Sequence, residues 1–379
     1  MNILFFYESM ALGGQQNYNY QLVRRFAELG HKVSWAYLFG EDLKDLVTQS
    51  ATVYHVPYRL GPKDYIKRPW RLLQITKAVM DFAKSQNSQV ILSGSGIGSL
   101  ICGLVARRLG IPHYRIIGCS LVQVEPTLFR LYSLIRIDRL IDGYFGWPRV
   151  FEELSSKGVH PDKFIEVNNT VDTEMYFPFT DSERLDLRST LGIASDELVI
   201  GWVGRIAYDM QVKYTLELAV ELNKKGFNKF RLLIVGGGPW EEELRRLIDE
   251  NGLASRTIFT GWVPMHDVNG LLNAMDVVPL LEVDPQGGSI VREAMASGRV
   301  ALSVDGVSGT QRRFMQPGCS ILVPSENFTT NAADAIIKLD KEPESIPEIG
   351  HNARQFALGH MSWDEVVRIK LRTLEGAIR

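Results

Sequence analysis

Cysteine is scarce in this chain of 379 residues. Cys102, Cys119 and Cys319 lie far apart, with no C-x-x-C pair and no histidine at the spacing of a zinc site. This pattern argues against a disulfide framework and against a structural metal. It favours a reducing compartment.

Long apolar runs and an excess of one charge are missing as well. No run of about 18 apolar residues occurs, so no membrane-spanning helix is predicted. The opening Met1–Glu8 has a short apolar run without a basic leader, which predicts a strand rather than a signal peptide. The formal net charge of −2 gives no indication of nucleic-acid binding. We therefore expect a cytoplasmic protein, with attachment to the inner face of a membrane left open.

What the chain has is a regular alternation of apolar runs of strand length with amphipathic helical patterns. A hydrophobic content of 45% is enough for sizeable cores. Continuous apolar strands separated by helices predict parallel sheets that helices cover on both faces. The predicted strands are Ile3–Tyr7, Val33–Leu38, Thr52–Val56, Val90–Ser93 and Tyr144–Trp147, then Leu198–Val203, Arg231–Val235, Thr257–Thr260, Val277–Leu281 and Val300–Val304. Asn17–Leu29 and Trp240–Asn251 are typical of the helices between them.

Both halves of the chain open on a strand, a glycine-containing loop and a helix. Ile3–Glu8 leads into Gly13 and Gly14, and Leu198–Val203 leads into Gly204 and Arg205. Two such openings predict two doubly wound, Rossmann-like domains. The polar, proline-bearing segment 175–184 is the predicted linker. We place the domains at 1–178 and 179–356.

The stretch from Glu282 to Gly298 is the most informative part of the sequence for function. A Gly-Gly-Ser turn leads directly into a helix that carries Glu293 about two turns further on. Glycines let the backbone approach a ligand closely, and a helix start presents unpaired N–H groups to an anion. Glu293 is too far along the helix to meet the same anion, so it is suited to accept hydrogen bonds from hydroxyls. A phosphate flanked by hydroxyl-bearing groups describes a nucleotide-sugar.

Several motifs occur in the order typical of family-4 retaining glycosyltransferases. The chain resembles this family over nearly its whole length through Val203-Gly-Arg205, Ile234-Val-Gly-Gly-Gly-Pro239, Phe259-Thr-Gly-Trp-Val263, Glu293-Ala-Met-Ala-Ser-Gly298 and Asn169-Thr-Val-Asp172. The resemblance implies the GT-B fold: two Rossmann-like, doubly wound parallel-sheet domains facing across a cleft, with a C-terminal helix (about 357–379) crossing back to the first. It also implies a nucleoside-diphosphate sugar donor, held mainly by the second domain, and an acceptor bound by the first.

The resemblance also assigns site residues. It implies that Glu293 accepts the ribose hydroxyls, that Arg205 neutralises the diphosphate, and that the first-domain loop closes on the phosphates. Trp262 and Val263 fall where the family binds the base, although Trp262 is also consistent with a core residue at a strand end. The full set of implied donor contacts is Gly13, Gly14, Gly204, Trp262, Val263, Gln286, Gly287, Gly288, Ser289, Ile290 and Glu293.

Three positions depart from the family pattern. Pro285 stands where the family has the first glutamate of its E-x7-E motif, and Asp284 or Glu282 is the expected replacement. Met210 stands where the family has a lysine, and Lys213 is the expected replacement. The first-domain histidine is missing near 118–120, and nearby His113 is expected to be packed or hydrogen-bonded rather than catalytic.

Two functional readings follow. The first is a retaining, metal-independent hexosyltransferase that uses a UDP- or GDP-linked sugar, with Arg205, Lys213 and Asp284 as its catalytic residues and a sugar or lipid-linked acceptor. No cofactor is expected, because arginine and helix amides replace the metal ion that an acid-x-acid pair binds in another glycosyltransferase architecture. The second is a catalytically impaired GT-B protein that binds nucleotide-sugar or supports a partner glycosyltransferase.

The segment from Tyr58 to Lys84 is rich in basic residues and carries apolar residues at helical spacing. Its cations outnumber its two aspartates, and Trp70, Leu72, Leu73, Ile75, Val79 and Phe82 form the apolar stripe. This pattern fits either a helix lying on an anionic membrane or a solvated helix packed on its own domain. The interpretation of the acceptor as lipid-linked depends on the first alternative.

Overall fold

The computed structural model describes residues 1–11, 14–58, 69–118, 136–167, 170–208, 211–282, 288–306 and 311–378. The chain divides into two compact units. Unit 1 comprises Met1–Asn168 and Asp364–Arg379, and unit 2 comprises Asn169–Trp363. The sequence prediction placed this boundary later, at 178/179.

Unit 1 contains a parallel sheet in the order β3-β2-β1-β4-β5-β6-β7. The order reverses at β1, because β2 and β3 lie on one side of it and the next four strands lie on the other. Its strands are β1 (Asn2–Phe6), β2 (Lys32–Tyr37), β3 (Thr52–His55), β4 (Val90–Ser93), β5 (His113–Ile116), β6 (Gly143–Gly146) and β7 (Phe164–Glu166). Its described helices are α1 (Gly14–Glu28), α2 (Lys44–Thr48), α3 (Pro69–Ser85), α4 (Gly96–Leu109) and α5 (Pro148–Ser155).

Unit 2 repeats this plan with the order β10-β9-β8-β11-β12-β13, which reverses at β8. Its strands are β8 (Leu198–Val203), β9 (Phe230–Val235), β10 (Thr257–Gly261), β11 (Val277–Leu280), β12 (Val300–Asp305) and β13 (Ile321–Pro324). Its described helices are α6 (Asp181–Thr190), α7 (Val212–Lys224), α8 (Glu241–Glu250), α9 (Val268–Ala274), α10 (Ser289–Ala296), α11 (Phe328–Lys341) and α12 (Ser345–His360). The final helix, α13 (Trp363–Ile378), follows α12 in the chain.

The prediction of two doubly wound parallel sheets is confirmed. Each sheet carries apolar side chains on both faces, as buried parallel strands require. In unit 2, for example, Val199 packs in one core cluster and Ile200 in the other, and both are fully buried. Every strand predicted from the sequence is present, with ends shifted by at most a residue or two.

Three strands were not predicted: β5, β7 and β13. Strand β5 reads His-Tyr-Arg-Ile, and its polar residues hide the apolar run that would have revealed it. It tolerates a buried histidine because the Nε2 of His113 lies 2.8 Å from the Ser93 hydroxyl and its Nδ1 lies 2.7 Å from the Leu140 carbonyl oxygen. Strands β7 and β13 are short strands at the edges of their sheets.

The prediction of a linker at 175–184 was wrong. This segment is bound to unit 2, and α6 begins inside it with a capping box between Thr180 and Glu183. Arg184 and Arg188 on α6 contact the Asp276 carboxylate at 3.0 and 2.6 Å. The same carboxylate accepts a hydrogen bond from the Val199 amide at 2.8 Å. These partners lie far apart in the sequence, so composition alone could not reveal them.

The last helix, α13, belongs to unit 1 although it follows a helix of unit 2, as the family resemblance implied. Helix α12 ends at His360 and α13 begins at Trp363, so the predicted single helix at 357–379 spans parts of two helices. Lys370 on α13 is fully buried, with its Nζ 4.0 Å from the centre of the Phe145 ring. Desolvation holds the pKa of Lys370 well below its usual range.

Helix α3 forms the described part of the basic segment. Ile75, Val79 and Ala83 on its inner face are buried in the core of unit 1. Trp70 and Leu73 point outward and are 56% and 67% exposed. The apolar stripe is therefore partly core and partly surface. Residues 59–68 of the segment lie outside the described residues. Among the described residues, no helix combines the length and apolar character needed to cross a bilayer.

Candidate active site

Three loops of unit 2 pack against one another at the carboxyl edge of its sheet. They follow β8, β9 and β10. Gly236 and Gly238 make this packing possible. A Cβ on Gly236 would lie 2.0 Å from the Gly204 carbonyl oxygen, and a Cβ on Gly238 would lie 2.3 Å from the Ile206 carbonyl oxygen. Both glycines have positive φ, at +120° and +158°. Backbone hydrogen bonds from Ile206 N to Gly237 O (2.9 Å) and from Gly236 N to Gly261 O (2.9 Å) fix the loops.

The strand order of unit 2 reverses between β8 and β11, and ligands of open α/β sheets bind at such a reversal, beyond the carboxyl ends of the strands. Arg205 follows β8 and its side chain is exposed. Helix α10 follows β11 after the loop. Arg205 and the start of α10 are therefore placed on adjacent strands, at the same edge of the sheet.

Helix α10 begins at Ser289, and its N-cap residue, Gly288, provides no side-chain cap. The first N–H groups of a helix have no partner within the helix, and the helix dipole adds positive potential there. A Cβ on Gly288 would lie 2.7 Å from Cδ2 of Leu280, so the backbone packs closely against the end of β11. Ser289 is exposed and Ile290 is buried. The start of α10 can therefore offer backbone donors to an anion.

Glu293 lies one turn after Ser289 on the same face of α10, and its side chain keeps partial exposure. Desolvation raises the pKa of Glu293, while Arg292 and a hydrogen bond with Ser289 act in the opposite direction. Burial also raises the pKa of Tyr176, with Glu293 contributing as a neighbouring negative charge. Glu293 lies about one turn from the helix start, nearer than the two turns expected from the sequence. Its role as the acceptor for the ribose hydroxyls stays a prediction.

Lys213 does not lie in the loop after β8. It lies in the first turn of α7, with its Nζ 5.2 Å from the Tyr208 ring centre and 4.9 Å from that of Tyr214. Gln211, immediately before the helix, reaches the end of β11 instead. Its Nε2 donates to Glu282 Oε2 at 2.7 Å. This contact joins the loops on the two sides of the strand reversal.

The sequence analysis missed Gln211, because a single glutamine gives no chemical signal. The available signals were its position one residue after Met210, where the family has a lysine, and the acidic side chain of Glu282.

Trp262 is 65% exposed, which excludes the interpretation as a core residue at a strand end. Its indole lies against Gly237, where a Cβ would lie 2.8 Å from the indole Nε1. Val263 by contrast packs against the core of unit 2. Tyr208 is also exposed, at 69%, and its ring meets Trp240 edge-on at 5.8 Å. The loops after β8 and β10 therefore each carry one exposed aromatic ring, Tyr208 and Trp262.

Unit 1 contributes fewer described site residues. Gly14 is the first residue of α1. His113 is fully buried and hydrogen-bonded, and desolvation lowers its pKa to about 4. The expectation that it is packed and hydrogen-bonded is confirmed.

Some predicted site residues lie outside the described residues: Gly13, Asp284, Gln286 and Gly287, together with Met210, Pro285 and Cys119. Among the residues that are described, no group of three or more histidine, cysteine or acidic side chains is placed to hold a metal ion. The role assigned to Asp284 stays a prediction.

Comparison with known proteins gives consistent matches. Residues 183–356 match the family model of the glycosyl transferases group 1. The chain is 28% identical to an alpha-D-kanosaminyltransferase of Streptomyces kanamyceticus over 282 residues, covering 69% of each chain. It is 26% identical to a D-inositol 3-phosphate glycosyltransferase of Stackebrandtia nassauensis over 371 residues, covering 86% of this chain and 79% of the relative.

Among solved structures, HepE of Anabaena in complex with UDP superposes with a TM-score of 0.82 at 17% identity, covering 99% of this chain and all of HepE. At this identity, the likeness establishes the fold. Together with the two strand orders, it identifies the architecture as GT-B. The chain has the GT-B fold, and residues 183–356 of its second unit are similar to the glycosyl transferases group 1.

Proposed function

We propose that this protein is a retaining glycosyltransferase that moves a hexosyl group from a nucleoside-diphosphate sugar to an acceptor hydroxyl. Unit 2 binds the donor and unit 1 the acceptor. One observation carries the proposal. Helix α10 follows β11 and starts without a side-chain cap, and Arg205 follows the neighbouring strand, β8. An anion-binding helix start beside an exposed arginine suits a diphosphate.

Each donor contact has a distinct chemical task. The amides of Gly288 and Ser289 and the Arg205 guanidinium receive the diphosphate, whose charge grows as the glycosidic bond breaks. Glu293, one turn away, accepts hydrogen bonds from the ribose hydroxyls. Trp262 and the backbone at Val263 contact the base.

The hydrogen bond between Gln211 and Glu282 joins the loops after β8 and β11. We propose that these two side chains contact the donor sugar. Lys213 lies on α7 beside two tyrosine rings, and reaching the phosphate would require its long side chain to leave them. We therefore rank Gln211 above Lys213 as the substitute for the family's lysine.

The proposed chemistry is front-face substitution. The acceptor attacks from the side that the diphosphate leaves, and a phosphate oxygen takes the acceptor proton, so the anomeric configuration is kept. No metal is needed when an arginine and helix amides neutralise the leaving group. A chelator should therefore leave the rate unchanged, and loss of activity that manganese restores would contradict this step.

The nucleotide of the donor is UDP or GDP, and UDP is tested first because HepE binds it. The test is a panel of nucleotide-sugars, measuring release of nucleoside diphosphate with and without acceptor mixtures. In parallel, the melting temperature is measured with UDP, GDP and ADP. A ligand at about 100 times its Kd stabilises by about 2.7 kcal/mol. Nucleotide binding without turnover of any sugar would favour the impaired GT-B protein instead, and absence of both would contradict the proposal.

The acceptor is a sugar or a lipid-linked glycan in the synthesis of cell-surface polysaccharide, glycolipid or another glycoconjugate. One relative is named for inositol 3-phosphate, a phosphorylated polyol, so acceptor panels should contain phosphorylated and unphosphorylated forms of each compound.

We also propose that α3 contacts an anionic membrane peripherally. Trp70 and Leu73 share the outward face of the helix with Lys77 and Lys84, all of them exposed. Apolar side chains beside cations suit the headgroup region, where each cation contributes about 1 kcal/mol. Liposomes containing phosphatidylserine should carry the protein upward in flotation at low salt. Leu73→Ser should reduce flotation, whereas Leu185→Ser, at a position 51% exposed in unit 2, should not. Equal flotation of both variants would contradict this contact.

A further inference from the structure

Unit 1 has a groove of about 570 Å³ between β3, the strand at one end of its sheet, and helix α3. This volume is in the range of ligand pockets, about 300–1,000 Å³. We call it the α3 groove, and the residues that line it include Tyr54, Tyr58, Gln74, Lys77, Asp81 and Phe82. It lies on unit 1, whereas the proposed donor contacts of the nucleotide lie on unit 2.

Two stacked aromatic rings line the α3 groove. The ring centres of Tyr54 and Phe82 are 4.7 Å apart, and the ring planes differ by 23°. Both side chains pack against the core of unit 1 and are half-buried, so the core holds them in place while part of each ring stays accessible. Tyr58 is held in the same way. Fixed aromatic rings provide a flat apolar surface on which the C–H face of a sugar ring can pack.

The polar side chains of the α3 groove are available to a ligand. Gln74, Lys77 and Asp81 are exposed along one side of α3. Within the part of the chain that the structure describes, none of these three side chains forms a hydrogen bond or an ion pair. Lys77 and Asp81 do not pair with each other, although they are one helical turn apart. The groove therefore offers donors and acceptors together, and its two charges cancel.

These groups suit a neutral saccharide. A sugar hydroxyl both donates and accepts hydrogen bonds, so neighbouring hydroxyls can meet the Lys77 ammonium, the Gln74 amide and the Asp81 carboxylate. A phosphate, a uronic acid or an anionic lipid headgroup would instead meet the like charge of Asp81. The groove chemistry therefore favours an uncharged, polyhydroxylated ligand.

The shape and position of the α3 groove suit a short chain of sugars. Its lining extends along α3 from Gln74 to Ser85, which is about 16 Å at the helical rise of 1.5 Å per residue. This is longer than a single sugar ring. Its lining at Pro57 and Tyr58 lies just beyond the carboxyl end of β3. Open α/β sheets bind ligands at this edge, so the groove leads away from the ligand-binding edge of unit 1.

We propose that the α3 groove binds a neutral oligosaccharide, as the part of a glycan acceptor that lies away from the reacting hydroxyl. Binding of the oligosaccharide follows from the groove itself. Its assignment to the acceptor rests on the proposed function, in which unit 1 binds the acceptor.

The first test measures binding to the full chain saturated with UDP, so that a nucleotide site is filled. The probes are α- and β-linked trisaccharides of glucose, galactose and mannose, with trigalacturonic acid as the anionic counterpart. At least one neutral trisaccharide should bind, and at least about 5-fold more tightly than trigalacturonic acid. Saturation-transfer NMR detects binding and calorimetry gives the Kd. Absence of binding by every neutral trisaccharide would overturn the proposal, and so would equal binding of trigalacturonic acid.

Two lysines of α3 locate the bound sugar. Lys77→Ala should weaken trisaccharide binding at least about 5-fold, because it removes a charged donor from the groove. Lys84→Ala is the matched control, since it makes the same change on the same helix at an exposed position outside the groove lining. Equal affinities of the two variants would show that the sugar binds elsewhere. Tyr54→Leu keeps an apolar side chain but removes the ring, and it should also weaken binding, with its melting temperature showing that it is folded.

The second test measures transfer to acceptors of one to four neutral sugars. The kcat/KM of wild type should rise with acceptor length, Lys77→Ala should reduce this rise, and Lys84→Ala should keep it. Equal kcat/KM for all lengths would overturn the assignment to the acceptor. If no nucleotide-sugar supports transfer, the proposed function fails, and the binding measurements alone decide whether the groove holds a saccharide.

Discussion

Both units have a helix at the same topological position, after the strand beside the reversal, but the two helix starts are capped differently. In unit 1, α4 begins with a serine cap, Ser95, and a glutamate from the neighbouring strand end, Glu8, so protein atoms already occupy its amide. In unit 2, α10 follows the N-cap residue Gly288 and has no side-chain cap. Since helix amides without a side-chain cap attract anions, the proposed donor site has an open helix start, whereas protein atoms occupy the equivalent helix start of unit 1. The comparison teaches that residues of the first turn can close or open the same topological position.

Arg205→Ala should break the open site most severely. Loss of a charge contact to the leaving diphosphate of about 3 kcal/mol corresponds to a reduction of roughly 10²-fold in kcat/KM. Arg205→Lys keeps the charge without the two-pronged geometry and should lie between wild type and Arg205→Ala. Steady-state kinetics with the preferred nucleotide-sugar measures both. Unchanged kcat/KM in Arg205→Ala would show that the diphosphate binds elsewhere.

Gly288→Asp would transfer the unit 1 arrangement to unit 2, by placing a carboxylate at the start of α10. UDP affinity should fall about 10-fold further than in Gly288→Asn, because a carboxylate repels the diphosphate. Both variants place a Cβ against Leu280, so their difference isolates the charge. Calorimetry with UDP measures it. Equal affinities would mean that no phosphate approaches this helix start.

Glu293→Gln tests the acceptor one turn inside α10. Loss of a charged acceptor of about 1 kcal/mol should weaken UDP binding about 5-fold at neutral pH. The protein raises the pKa of Glu293, so wild-type affinity should begin to fall at a higher pH than for an ordinary glutamate, whereas the variant should show no such dependence. UDP titrations across acidic pH give the comparison, and parallel profiles for the two proteins would contradict the ribose role.

The same variant has a stability consequence. Because the folded pKa of Glu293 is raised, the folded state binds more protons than the unfolded state between the ordinary and the raised value. Stability therefore falls as pH rises through that window, and the full cost is present above it. Glu293→Gln removes this cost and should melt a few degrees higher at neutral pH. A lower melting temperature would show that the ionised carboxylate is stabilised in the protein.

Trp262→Ala should give the smallest effect. The ring is 65% exposed, so the lost contact to the base should be worth about 0.5 kcal/mol, the lower end for an aromatic contact, which predicts a loss of about 2-fold in nucleotide affinity. Trp70→Ala is the matched control, because this tryptophan is comparably exposed but lies on α3 of unit 1. Thermal shifts with UDP compare them directly. An equal response of both variants would remove Trp262 from the base site.

Much of unit 2 could be predicted because its signals are local in the sequence. Val277–Leu280 and Val300–Asp305 are short apolar runs, and glycines mark the loops that follow β8 and β9. The exposure of Trp262 and the contact between Gln211 and Glu282 could not be predicted. Both depend on how loops from different strands pack together, and Gln211 and Glu282 are 71 positions apart in the chain.

Unit 1 was less predictable for the same reason. Strand β5 carries a buried histidine that is stable only beside Ser93 and the Leu140 carbonyl. The role of Glu8 as a cap depends on a helix 90 positions later in the chain. Local propensity contains no information about such partners.

By itself, the sequence determined the two-sheet plan, the strand-loop-helix order and the chemical types available at the loop ends, because hydrophobic periodicity and glycine placement act over a few residues. The tertiary structure decided which side chains meet. It closed one helix start with Glu8 and left the other without a side-chain cap, since strand pairing brings together residues that are distant along the chain.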